Sequence, residues 1–109
     1  MPQYIAAIEQ ADKHVGKVLA AVKNRKSYAQ EDWLVIVTSD HGGQGTGHSN
    51  GHRIPEILNS FLIVSGGAAQ RGDFTAPVYL VDAVPTILRF LDVKIDAAWK
   101  LDGRAVGLK

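Results

Sequence analysis

Hydrophobic residues follow a helical spacing along the first part of the chain. Between residues 3 and 24, aliphatic side chains recur at intervals of three, four and seven, so they lie on one face of a helix. The residues on this face are Ile5, Ile8, Val15, Val18, Leu19 and Val22. Pro2 precedes them, and proline is favoured in the first helical turn because its missing N–H would have no partner there. The pattern predicts an amphipathic helix over 3–24.

Two short apolar runs have the character of buried strands. Residues 33–37 read WLVIV, and residues 61–65 read FLIVS. Both are too short for a stable helix, and both contain β-branched side chains. Strands that are apolar at every position, rather than at alternate positions, are typical of parallel sheets that helices cover on both faces. We therefore predict two buried strands of a parallel sheet.

A second helix is predicted near the end of the chain. Residues 83–91 read AVPTILRFL, with Pro85 in the first turn. Asp82 precedes this run, and aspartate is a favoured N-cap because its carboxylate accepts from free backbone N–H groups. The order helix, strand, loop, strand, helix indicates an α/β fold. Two helices are too few to cover both faces of such a sheet, so we expect the chain to be a piece of a larger sheet, completed either by a further segment or by a partner.

Composition excludes several classes of protein. The chain has 109 residues, of which 46% are hydrophobic and 21% are charged, as in ordinary globular domains. A net charge of +1 gives no basic surface for a nucleic-acid polymer. Cysteine is absent, so any metal site must be built from histidine and carboxylate. No apolar run approaches the ~18 residues that a membrane span requires.

The stretch after the first predicted strand carries the candidate chemistry. Residues 38–52, TSDHGGQGTGHSNGH, contain one aspartate, three histidines and five glycines. Ligands of open α/β sheets bind beyond the carboxyl ends of the strands, where this loop begins. Carboxylate oxygen and imidazole nitrogen are suitable ligands for zinc and similar ions. Asp40 and His41 can share an ion once the backbone has left the strand, and either His48 or His52 could serve a second ion.

Other interpretations compete for the same loop. Asp40 and His41 could be a turn aspartate and a solvated histidine, and His48 or His52 taken singly is as often a surface residue. The segment GGQGTG could cradle a phosphate, but its spacing matches neither a dinucleotide-binding nor a P-loop fingerprint. Ser39 with its two successors has the residue types of a hydrolytic triad, yet adjacent residues cannot generally adopt that geometry. The metal hypothesis accounts best for the density of ligand residues.

Five segments, in order, resemble the C-terminal part of the alkaline phosphatase superfamily. This group includes nucleotide pyrophosphatase/phosphodiesterases, sulfatases and cofactor-independent phosphoglycerate mutases. The segments are the helix at 4–25, WLVIVTSDHGG at 33–43, RIPEI with FLIVSGG between 53 and 67, LVDAVPTILRFLDV at 80–93 and WKLDGRAV at 99–106. The resemblance implies an alkaline-phosphatase-like α/β fold, with a parallel sheet flanked by helices. It also implies that residues 1–109 are the C-terminal part of one such domain.

The resemblance further implies a two-metal hydrolase of phosphate mono- or diesters, or of sulfate esters. By position, Asp40 and His41 bind the ion that also holds the nucleophile, and His48 binds the second ion, with His52 as the alternative. The two divalent ions are expected to be zinc, with manganese or calcium as other candidates. Many single-calcium sulfatases carry asparagine where this chain has His41, so phosphate esters are favoured.

The family's Ser or Thr nucleophile and its remaining metal ligands lie upstream of this region and have no counterpart here. The resemblance therefore implies that the parent protein is the enzyme, and that residues 1–109 alone are inactive and self-associate through open sheet edges. It also favours a periplasmic or secreted parent. A truncated, non-catalytic metal-binding or interaction module is the alternative.

The usual IPFI segment is interrupted by Glu56 and Asn59, which either point into the site or only alter a loop.

Overall fold

A computed structural model describes residues 2–109, and the chain divides into two compact units between Asp32 and Trp33. The first unit consists of helix α1, Pro2–Lys23, followed by a 3-10 turn, Tyr28–Gln30. The predicted helix is thus confirmed, shifted by one residue at each end. Large residues of its apolar face, Ile5 and Ile8 among them, are more than half exposed.

Two strands form the sheet of the second unit. Strand β1 is Leu34–Thr38 and strand β2 is Leu62–Gly66, each one residue later than predicted. They pair in antiparallel register, with Leu34 opposite Gly66 and Thr38 opposite Leu62. The carboxyl end of β1 therefore lies beside the start of β2.

The parallel pairing expected for these strands is not confirmed, and the reason lies in the connection between them. Parallel neighbours need a crossover, usually a helix, that returns the chain to the start of the first strand. The connection contains only the short helix α2, Pro55–Leu58, and a 3-10 turn, Gly51–Arg53. Four helical residues advance only about 6 Å, so the connection holds no helix of the length that a crossover usually uses. The mixed helix and strand content still fits an α/β fold.

Helix α3, Ala83–Phe90, ends one residue before its predicted end. Asp82 precedes it, but the carboxylate does not cap the helix as predicted. It is almost fully buried and accepts from the backbone N–H groups of Tyr79 and Arg104, both at 2.8 Å. The buried hydroxyl of Thr86 donates to the Asp82 carbonyl at 2.7 Å and accepts from the Val106 N–H at 2.9 Å. These bonds attach the C-terminal segment to α3.

Little of the described chain is buried. The buried hydrophobic residues are Ile57, Ala69 and Val106, whereas Val84 on α3 and Leu91 directly after it are more than half exposed. Ile57 lies in α2, and its carbonyl accepts from the N–H of Gly42 in the loop that carries the candidate chemistry. Within residues 2–109, no helix combines the length and hydrophobicity that a membrane span needs.

Candidate metal centre

Hydroxyl groups fasten the chain where β1 ends and the loop 40–53, here called the site loop, begins. Thr38 Oγ1 donates to the Phe61 carbonyl at 2.6 Å. Ser60 Oγ donates to the Ser39 carbonyl at 2.6 Å, and the two serine Oγ atoms are 2.9 Å apart. Because these bonds join the end of β1 to the start of β2, the site loop departs from a fixed point.

Gly42 sets the path of the backbone immediately after the Asp-His pair. Its N–H donates to the Ile57 carbonyl at 2.8 Å. A Cβ at this position would lie 2.1 Å from the Glu56 carbonyl oxygen and 2.5 Å from that of Asn59. Only glycine therefore fits without displacing α2. The departure from the strand that the sequence predicted is confirmed, because β1 ends at Thr38.

Asp40 and His41 present an oxygen and a nitrogen to the same region. Asp40 Oδ2 lies 3.6 Å from His41 Nε2, and Asp40 Oδ1 accepts from the His41 backbone N–H at 3.0 Å. His41 Nδ1 lies 2.7 Å from the Gly42 carbonyl oxygen. Since a carbonyl can only accept, the neutral ring carries its proton on Nδ1 and keeps the Nε2 lone pair free.

Solvent and ions can reach both side chains of this pair. The Asp40 side chain is 84% exposed and that of His41 is 43% exposed. One carboxylate oxygen is engaged only by the adjacent backbone N–H, and the other faces the free imidazole nitrogen. The pair thus has the donor types and the accessibility that a divalent cation requires.

His48 joins this pair through a turn in the site loop. Gln44 and Gly47 exchange two backbone hydrogen bonds at 3.1 Å, which reverses the direction of the chain. The His48 ring then lies beside that of His41, with centroids 4.8 Å apart and a tilt of 34°. The structure therefore brings Asp40, His41 and His48 into one region.

His52 occupies a different position. It is exposed on the 3-10 turn Gly51–Arg53. Among the residues that the structure describes, no ring contact or ion pair joins His52 to Asp40, His41 or His48. Spacing in the sequence left His48 and His52 equally placed, so this difference comes from the fold.

The donor set can supply only part of a metal coordination shell. Within residues 2–109, no three His, Cys, Asp or Glu side chains converge as ligands of a single ion. Asp40 with His41 provides two donors, and His48 provides one more nearby. A closed tetrahedral site needs four ligands, so additional ligands must complete any ion bound here.

A cleft of about 650 Å³ opens beside Asp40. Its walls come from the ends of both strands, from α2 and from residues 78–80. Glu56 and Asn59, the two departures noted in the sequence, both line it. Sequence reasoning missed α2 because a four-residue helix has no period; Pro55 at its first position was the available signal.

Comparison with models of protein families identifies a match over most of the chain. The family described as Sulfatase matches residues 1–93, a range that includes β1, the site loop and α3. Comparison with curated proteins and with solved structures gives no significant match. Through the family match, the chain belongs to the sulfatase family, within the alkaline phosphatase-like superfamily.

Proposed function

We propose that the chain is part of a metal-dependent hydrolase of phosphate or sulfate esters. In this proposal Asp40 and His41 bind one divalent ion and His48 binds a second. Membership of the sulfatase family supports hydrolase chemistry. The observation that carries the proposal is the accessible Asp40–His41 pair beyond the carboxyl end of β1, with the His48 ring beside that of His41.

Hydrogen bonds within the site loop fix the orientation of the proposed metal ligands. The Gly42 carbonyl holds His41 Nδ1, which orients Nε2 toward Asp40 Oδ2. The Gly42 N–H is in turn held by Ile57, so the loop is attached to a buried residue of α2. Ligands held in this way bind metal more tightly, because their orientation is fixed beforehand. Divalent ions bound here would stabilise the negative charge that develops on the ester group.

We propose zinc as the preferred ion, with manganese or calcium as alternatives. Two of the three donors are imidazoles, which zinc accepts readily, whereas calcium is usually surrounded by oxygen ligands. The presence of His41 rather than asparagine favours phosphate esters over sulfate esters. Both esters belong in the test, because the family match is to sulfatases.

We also propose that residues 1–109 form one part of a larger α/β domain, which supplies the hydroxyl nucleophile and the remaining ligands. The exposed apolar surface supports this. Ile63 on β2, Val84 on α3 and Leu91 directly after α3 are each more than half exposed. Expressed alone, such a chain would tend to cover this surface by self-association.

Metal removal tests the proposal directly. The full-length protein is assayed with 4-nitrophenyl phosphate and 4-nitrophenyl sulfate, before and after chelation and after addition of zinc, manganese or calcium. We expect hydrolysis of at least one ester to disappear on chelation and to return with zinc. Metal binding without hydrolysis of any ester would instead favour a non-catalytic metal-binding module.

A matched pair of histidine variants completes the test. His41→Ala should lower kcat/KM by at least about 100-fold, since even the outer partners of metal ligands are worth about 10–100-fold. His14→Ala should leave kcat/KM unchanged, because His14 is an exposed residue of α1 that hydrogen-bonds Gln10. Hydrolysis that persists in His41→Ala would contradict the proposal.

A further inference from the structure

We propose that the cleft beside Asp40 binds the organic group of the ester, and that Glu56 makes it select positively charged or neutral groups against negatively charged ones. This inference rests on the proposed function and adds the chemical class of the substrate to it.

The cleft adjoins the candidate metal centre at Asp40. Asp40 stands in its wall, together with Thr38 at the end of β1 and Ser60 before β2. An ester group held at Asp40 and His41 would leave its organic group within this space. The volume of about 650 Å³ lies within the range of roughly 300–1,000 Å³ found for small-molecule sites.

Part of the wall is apolar and open to solvent. Leu58, Phe61 and Tyr79 all line the cleft, and each is half or more exposed. Apolar side chains that are grouped beside polar residues mark a binding surface more often than scattered ones do. They suit a hydrocarbon or aromatic body, and the faces of Phe61 and Tyr79 are also of the kind that attracts cations.

The charged residues in the wall of the cleft are all acidic. The lining residues include two carboxylates, Asp40 and Glu56, but no lysine, arginine or histidine. In the proposed function Asp40 is committed to the metal ion, so Glu56 supplies the remaining charge of the wall. Glu56 is exposed in the first turn of α2, and no ion pair among the described residues neutralises it. It therefore attracts a positive substituent on the substrate and repels a negative one.

The experiment measures selectivity with two substrates in the full-length protein. They are phenyl esters of the kind that the wild type hydrolyses, with either a trimethylammonium or a carboxylate group in the para position. The quantity of interest is the ratio of their kcat/KM values. Because the same two esters are compared in every variant, their intrinsic difference in reactivity cancels.

Three substitutions change or preserve the charge of the wall. Glu56→Gln should lower the preference for the cationic ester by about threefold to tenfold, the scale of interactions between solvent-accessible charges. Glu56→Lys should lower it further. Glu9→Gln, on the exposed surface of α1, is the matched control and should leave the ratio unchanged.

The affinities of the two corresponding phenols, measured by NMR titration, test the same selectivity without turnover. The wild type should bind the cationic phenol more tightly, and Glu56→Lys should reverse that order. Equal ratios in the wild type, Glu56→Gln and Glu56→Lys would overturn the inference, even where both esters are hydrolysed. Absence of hydrolysis would count against the proposed function alone, since the phenol titration still decides the role of Glu56.

Discussion

The site loop and the segment around α3 both carry aspartates of the family pattern, but their environments are opposite. The Asp82 residue is 2% exposed, and its two carboxylate oxygens accept from backbone N–H groups on either side of α3. The Asp40 side chain is 84% exposed and is bonded only within its own loop. A buried aspartate whose two oxygens both accept from the backbone supports the fold, whereas an exposed one bonded only to its neighbour is available for chemistry.

Neighbouring residues produce this difference. Near α3, side chains make the long-range contacts, and the buried Thr86 hydroxyl ties the helix to Val106. In the site loop, the backbone makes the contacts: the Gly42 N–H bonds the Ile57 carbonyl, and Gln44 and Gly47 bond each other within the loop. Backbone attachment leaves the side chains of the site loop free to bind a ligand.

The two regions should differ most in the loss of stability when each aspartate is replaced by alanine. Asp82→Ala removes a buried carboxylate that accepts from two part-buried N–H groups. At roughly 1–3 kcal/mol for each lost bond, the free energy of unfolding should fall by about 2–6 kcal/mol. Asp40→Ala should change it by less than about 0.5 kcal/mol, as at other exposed positions. Urea denaturation of the full-length protein measures both. Equal destabilisation by the two variants would contradict the conclusion that Asp82 supports the fold and Asp40 does not.

A pair of histidine substitutions tests whether His48 or His52 is the metal ligand of the site loop. His48→Ala should lower kcat/KM by at least about 100-fold and reduce the bound metal, because it removes a proposed ligand. His52→Ala should change kcat/KM by less than about threefold, as expected of an exposed side chain outside the site. Kinetics and elemental analysis of purified protein report both quantities. Loss of metal in His52→Ala, but not in His48→Ala, would transfer the ligand role to His52.

The smallest effect is expected for Gly42→Ala, which adds one methyl group where the site loop contacts α2. Gly42→Ala places a Cβ 2.1 Å from the Glu56 carbonyl oxygen, so the site loop and α2 must separate. Overpacking of this kind costs about 1–3 kcal/mol of stability, and we expect a measurable loss of activity with it. Gly43→Ala is the control, because its nearest neighbour would lie at an ordinary 3.8 Å. Thermal denaturation that does not distinguish the two variants would contradict the tight contact.

The sequence predicted those elements that depend on local pattern. α1, β1, β2 and α3 all lie within one residue of the predicted bounds, because residue spacing and β-branched runs are local properties. The direction of strand pairing depends on the path of the connection 39–61, and no local pattern reveals that path. One of the two partners of Asp82 is the N–H of Arg104, 22 residues away, and no local pattern reveals that contact either.

The candidate site shows the same limit. The residue types and the end of β1 predicted that Asp40 and His41 would lie together, and the structure places them so. Spacing could not separate His48 from His52, since that separation depends on the turn at 44–47. Gly45 adopts a φ of 60° in this turn, a conformation that glycine permits but that the sequence does not require. Metal binding by these residues remains a proposal.

Gly42 and Gly51 both meet Ile57, and this has an evolutionary consequence. The Gly42 N–H bonds the Ile57 carbonyl, and a Cβ at Gly51 would lie 2.8 Å from Ile57 Cγ2. Residues 43–50 therefore form a loop whose two ends both contact one buried residue, Ile57. Insertions or deletions within such a loop cost little and leave its base in place. Related chains can accordingly differ in the number of residues between the Asp-His pair and the later histidine while the pair itself stays fixed on its strand.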